Sequence, residues 1–283
     1  MPLVVTRGQR IGYGTEGTDG TPVLLVMGFG LSSRAWAPQV PTLAQRHRVV
    51  WFDNRGIGES EPSKGPYDLR DVADDAAGVL DHLGHASAHV VGVSMGGMTA
   101  QRIAERHPSR VRSLTLIATH PGGLSPFVVP TMGGLELFLR ANTSRGDERI
   151  AALRELLYPA AFRARIALDD ELARDFSADS LESFTVPAER RTLLYQLKAV
   201  LAHDGTKFLR SFDRFPTLVI RPDKDVLVRP ENSDRIHRLV PRSTLVAFAE
   251  AGHGVTHQEK HAVNAQLLSH FAAADRARPV EPV

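Results

Sequence analysis

The sequence predicts a mostly parallel, doubly wound α/β sheet, and three observations carry that expectation. Short runs rich in Val, Ile and Leu recur at residues 23–27, 48–52, 88–93, 111–119, 217–221 and 244–248. Their apolar character is continuous, which suits strands covered on both faces, as a parallel sheet requires. Longer segments with apolar residues at three- and four-residue spacing separate them, at 71–82, 96–106, 231–239 and 258–273. These read as helices, and Pro108 and Pro241 stand just beyond two of their ends. Alternating strands and helices build a sheet with helices on its faces. Finally, a chain of 283 residues is long enough to bury a substantial core without a disulfide or metal staple.

Composition narrows the function classes. With 42% hydrophobic and 23% charged residues, the chain has the balance of a globular protein and not of a disordered or collagen-like one. Lys and Arg number 34 against 32 Asp and Glu, and no stripe of basic residues interleaved with aromatics appears, so nucleic acid is not an expected partner. No apolar run approaches the roughly 18 residues of a membrane helix. Residues 1–10 lack the apolar stretch and cleavage site of a signal peptide, so a cytoplasmic, membrane-free protein is expected. The absence of cysteine removes thiolate chemistry, and any covalent mechanism needs another nucleophile.

Between residues 121 and 212 the strand pattern stops. Loop-like Gly/Pro stretches alternate there with helical ones, at 148–157 and 188–201. Such a length is too great for an ordinary connection, and the strand pattern resumes beyond it. We therefore expect a core formed by residues 1–120 and 213–283, interrupted by a helical cap at 121–212.

The sharpest local feature is Gly92-Val93-Ser94-Met95-Gly96-Gly97, which follows the apolar run 88–93 and opens the helical segment 96–106. A strand-to-helix turn tight enough to lift one side chain clear of a sheet strains that residue and leaves its neighbours no room for bulk. Gly92, Gly96 and Gly97 supply the space. Ser94 then stands at the carboxyl end of a central strand, where open α/β sheets bind ligands, beside the N–H groups of a helix start. A serine hydroxyl needs a base, and the base needs an orienting acid. Both are offered just past later strand ends: Asp223 and Asp225 after residues 217–221, and His253, flanked by Gly252 and Gly254, after residues 244–248. The strand at 111–119 leads into His120 and no acid, which favours the later loop. Asp225 has more room to curl back toward the histidine, whereas Asp223 directly follows Pro222 in a turn position.

Together these pieces resemble the α/β-hydrolase superfamily. The matching segments are GVSMGG at 92–97, DNRGIGES at 53–60, PDKD at 222–225 and GHG at 252–254. The resemblance covers essentially the whole chain apart from the cap, and it implies an oxyanion hole built from the backbone N–H groups of Phe29 and Met95. It also implies that DNRGIGES, despite Asp53 and Arg55, mainly shapes a sharp loop. Two departures stand out: Met27 occupies a position where the family commonly has histidine, and Arg221-Pro222 replaces a frequent His-Gly. The Val-Met-Gly loop followed by Leu31-Ser32 is faintly similar to the anthracycline methylesterase branch, which suggests bulky esters.

The expected function is serine hydrolysis of a carboxylic ester or lactone with no metal or organic cofactor, acting on a small molecule with an apolar portion. Catalytic roles fall to Ser94, Asp225 and His253. Aromatic residues of the cap, Phe127, Phe138, Phe184 and Tyr195, are candidates to line the pocket or to pack on one another. Carbon–carbon bond hydrolysis and cofactor-free peracid chemistry are rivals on the same three residues. A ligand-binding protein with little turnover is a rival of another class.

Overall fold

The apolar runs pair into an eight-stranded sheet in the computed structural model, which describes residues 1–177, 180, 181, 185 and 188–277. The strands are β1 (Leu3–Thr6), β2 (Gln9–Glu16), β3 (Pro22–Val26), β4 (Arg48–Phe52), β5 (Ala88–Val93), β6 (Val111–Ile117), β7 (Thr217–Pro222) and β8 (Thr244–Phe248). Their order is β1-β2-β4-β3-β5-β6-β7-β8. From β4 to β8 every neighbouring pair is parallel, while β1 and β2 add an antiparallel edge. That edge was not expected. Its two strands are joined by Arg7 (φ 50°) and Gly8 (φ 80°), with Thr6 opposite Gln9. Positive φ at both central residues is the geometry of a two-residue hairpin turn.

Alternation survives inside the apolar runs as a division between two faces. Leu24, Val26, Val50, Val90 and Val219 belong to one buried cluster, and Val23, Leu25, Val49, Val91 and Ile220 to the other. Helices α2 (Leu69–His82) and α3 (Met95–Arg106) cover the first face, contributing Val72, Ala76, Ala100 and Ile103. The short α1 (Val40–Leu43) and a long C-terminal helix cover the second, contributing Leu43, Val263, Leu267 and Phe271. α2 starts where Asp68 and Asp71 form a reciprocal capping box, satisfying donors that a helix start leaves free.

Between β6 and β7 lie α4 (Met132–Thr143), α5 (Gly146–Leu157), α6 (Ala160–Ile166), α7 (Asp170–Asp175) and α8 (Arg190–Leu201). Of these, sequence periodicity marked only α5 and α8. After β7 come α9 (Glu231–Leu239), α10 (Val255–Gln258) and α11 (Lys260–Ala277). The helix expected at 258–273 is α11, which starts two residues later and runs to Ala277; Glu259, which leaves helical geometry (φ −116°, ψ 36°), separates it from the short α10. Strand β6 ends two residues early because Ala118 turns to φ 46°. Among the described residues, no helix is long and apolar enough to cross a membrane.

His120, His203 and His257 are buried, with 4%, 4% and 8% of their surface exposed. Burial opposes the charged form and pushes their pKa values down to about 4, about 3 and about 4. The unfolded chain therefore takes up protons below about 6.5 that the folded chain refuses, and stability falls with pH from about 6.5 to about 4. Lowering the pH from 7.5 to 5 is expected to reduce the unfolding free energy by on the order of 1–2 kcal/mol per histidine, and so to lower the urea midpoint. Equal midpoints at the two pH values would contradict it.

Candidate active site

Ser94 occupies the single residue between β5 and α3, at φ 56°, ψ −123°. The strained turn exists because its surroundings forbid any other path. A Cβ on Gly92 would collide with the Gly96 carbonyl, one on Gly96 with the Val26 carbonyl, and one on Gly97 with the Thr119 side chain. Ser94 N donates to Ile117 O at 2.9 Å, and Thr119 Oγ1 donates to Ser94 O at 2.7 Å. The end of β6 and the residues just beyond it thus hold the turn through both backbone groups of Ser94. Met95 begins α3, so its N–H has no carbonyl within the helix to bond and lies beside the serine.

The loop after β3 faces the same turn. A Cβ on Gly28 would come within 3.2 Å of Ser94 Cβ. Three side chains fix this loop: Asp53 and Asn54 belong to the DNRGIGES segment, while Gln196 had no signal in the sequence pattern. Asn54 Nδ2 donates to Met27 O at 3.0 Å, and Gln196 of α8 accepts from Gly30 N at 2.8 Å through Oε1. Asp53 Oδ1 accepts from Ser33 N and Oγ, each at 2.7 Å, while its other oxygen accepts from Glu59 N at 3.1 Å. Arg55 pairs with the fully buried Asp75, at 2.5 and 3.0 Å. These contacts give DNRGIGES a loop-shaping role.

His253 Nδ1 lies 2.7 Å from Asp225 Oδ2. The other oxygen of Asp225 accepts from Leu227 N at 2.9 Å and Val228 N at 2.8 Å, so the buried carboxylate is fixed from both sides. Asp223 is turned elsewhere: its Oδ1 accepts from Arg221 Nε at 2.7 Å, and Arg221 also reaches Asp234 at 2.6 Å. The unusual Arg221 therefore occupies the nearer acid. Lys224 N donates to Ala251 O at 2.9 Å, tying the acid loop to the histidine loop. The glycines around His253 serve close approach: a Cβ on Gly252 would press on Leu157 O, and one on Gly254 on the Tyr158 ring, both at 2.6 Å.

Ser94 and His253 line one cavity, closed by Phe138 and Asn142 from α4 and by Leu153 and Leu156 from α5. Phe138 stacks at a tilt on Phe29, with ring centroids 5.2 Å apart. The two other aromatic candidates among the described residues do not line it. Phe127 lies under Arg229, and Tyr195 packs edge-on against Tyr67 over the main core; Phe184 falls outside the described residues. Two wall residues went unsuspected in the sequence, Tyr158 and His257, joined at 3.0 Å with the imidazole stacked on Phe176. Their signal is a contact across 99 residues, which no local pattern carries.

The family model for the alpha/beta hydrolase fold matches residues 21–259. This chain belongs to the α/β-hydrolase fold family. RutD of Azorhizobium caulinodans, named for carbamate hydrolysis, is 30% identical over 261 residues, spanning 91% of this chain and 93% of that protein. BpoC of Mycobacterium tuberculosis, named for non-heme bromoperoxidase activity, is 29% identical over 274 residues, spanning 93% of this chain and 98% of its own. In structure, the enol-lactonase of Burkholderia xenovorans superposes with a TM-score of 0.80 at 24% identity, covering 96% of this α/β hydrolase and all of that chain. At that identity the superposition speaks for the fold.

Proposed function

We propose that this α/β hydrolase is a serine hydrolase of carboxylic esters or lactones. The observation that carries the reading is the placement of a strained serine in an apolar cavity with a histidine whose second ring nitrogen is held 2.7 Å from a buried carboxylate. Ser94 Oγ attacks the carbonyl while His253 Nε2 takes its proton. Asp225 keeps the remaining ring proton on Nδ1, so that Nε2 starts as the acceptor. The Phe29 and Met95 N–H groups receive the charge that develops on the carbonyl oxygen. Proton return from His253 expels the alcohol, and a water activated by the same nitrogen then releases the acid. A protein that only bound ligand would have no use for the aligned carboxylate.

Substrate preference follows from the helices between β6 and β7, which act as a roof in this reading. Phe138, one of the aromatic rings of that segment lining the cavity, is placed to touch an acyl chain. A panel of p-nitrophenyl esters and simple lactones tests the reading, with a carbon–carbon cleavage substrate and peracid formation as the rival arms. Ester or lactone turnover well above the rivals is expected. Phe138→Ala should shift the ratio of kcat/KM between long and short acyl esters by about tenfold, the scale of a lost apolar contact. A panel led by carbon–carbon cleavage or peracid formation would replace the reading.

A further inference from the structure

The cavity holding Ser94 is small, about 100 Å³, and it adjoins an outer chamber of about 520 Å³. Phe29, Gly30, Phe138, Asn142 and Arg149 belong to the walls of both. The inner space suits a reacting carbonyl and a few neighbouring atoms, so the remainder of a substrate extends past Arg149. Charge along this route has one sign. Arg145 and Arg190 also line the outer chamber, and among the described residues no Asp or Glu lines either one.

Two of the arginines withdrawn from solvent carry a counter-charge. Arg55 is paired with Asp75, and Arg112 with Asp275. Half-buried Arg149 has no carboxylate against it among the described residues, and burial alone acts on its guanidinium, lowering its pKa. Taking a cation out of water without a counter-charge is costly. An arrangement that keeps one at the junction of two mostly apolar chambers is stabilised when a ligand brings the anion. A single guanidinium presents a planar fork that matches one carboxylate.

We infer that the substrates of this site are esters or lactones carrying a free carboxylate, which Arg149 binds while Ser94 faces the carbonyl to be cleaved. The inference rests on the serine-hydrolase reading and narrows its substrate class. Arg145 and Arg190 draw the anion toward the outer chamber, and a field of this kind weakens as salt rises.

The test compares mono-p-nitrophenyl glutarate with p-nitrophenyl valerate, acyl groups of equal length that differ in a terminal carboxylate. The wild-type protein is expected to favour the glutarate hemi-ester at least tenfold in kcat/KM. Arg149→Met should lower that preference by about ten- to a hundredfold, the effect of losing a hydrogen bond to a charged group. Arg149→Lys should retain part of it, and added salt should erode it in the wild type. If both esters are cleaved and the preference is absent, or survives Arg149→Met, the carboxylate inference is overturned while the serine reading stands. Should neither ester be cleaved, binding of monomethyl glutarate to Ser94→Ala, measured by calorimetry, decides. A tenfold loss in Ser94→Ala/Arg149→Met supports the anion site without turnover, and equal or undetectable binding overturns it.

Discussion

Ser94→Ala is expected to remove essentially all ester turnover, by a factor on the order of a million on the precedent of a serine protease stripped of its nucleophile. The fold should be untouched. Ser94 holds its neighbours through its backbone, by the bonds with Ile117 O and Thr119 Oγ1, and alanine preserves both. The φ of 56° is no harder for alanine than for serine, since both carry a Cβ. Thermal unfolding should therefore match the wild type while kcat collapses. Retention of more than about a tenth of the activity would remove Ser94 from the nucleophile's role.

Asp225→Asn should lose about 10³- to 10⁴-fold in kcat, close to the loss seen when a serine protease's orienting aspartate becomes asparagine. The reason lies in the hydrogen bonds around the carboxylate. An asparagine oxygen can still accept from Leu227 N and Val228 N, as Asp225 Oδ1 does, which turns its NH₂ toward His253 Nδ1. That nitrogen must then accept, the ring proton moves to Nε2, and the base can no longer take the serine's proton. Asp223→Asn breaks only the partly exposed pairing with Arg221 and should change activity less than about tenfold. The reverse ranking would move the orienting acid to Asp223.

What the sequence made legible was local. The turn at Ser94 is written into it because Gly92, Gly96 and Gly97 each stand where a Cβ would meet backbone or a packed side chain within a few residues or on the next strand. The parallel strands were legible because two-sided burial leaves a continuous apolar signature. The β1–β2 edge was not, since β1 is covered on one face only and reads as four residues of ordinary chain. α4, α6 and α7 escaped for a related reason: they bury few residues each, and the apolar face of α4 turns toward the Ser94 cavity instead of a deep core. Residues that position the site from afar left no trace. Gln196 reaches Gly30 across 166 residues of chain, and glutamine inside an amphipathic helix looks like any solvated position.

The most direct test of the account is covalent labelling with a fluorophosphonate probe, read by intact mass and by peptide mapping. Only a hydroxyl with an aligned base attacks such a phosphorus centre quickly. One probe per chain is expected, attached to Ser94, with no addition to Ser94→Ala and strongly slowed addition to Asp225→Asn. An unlabelled wild-type chain, or a label mapped to a different residue, would contradict it.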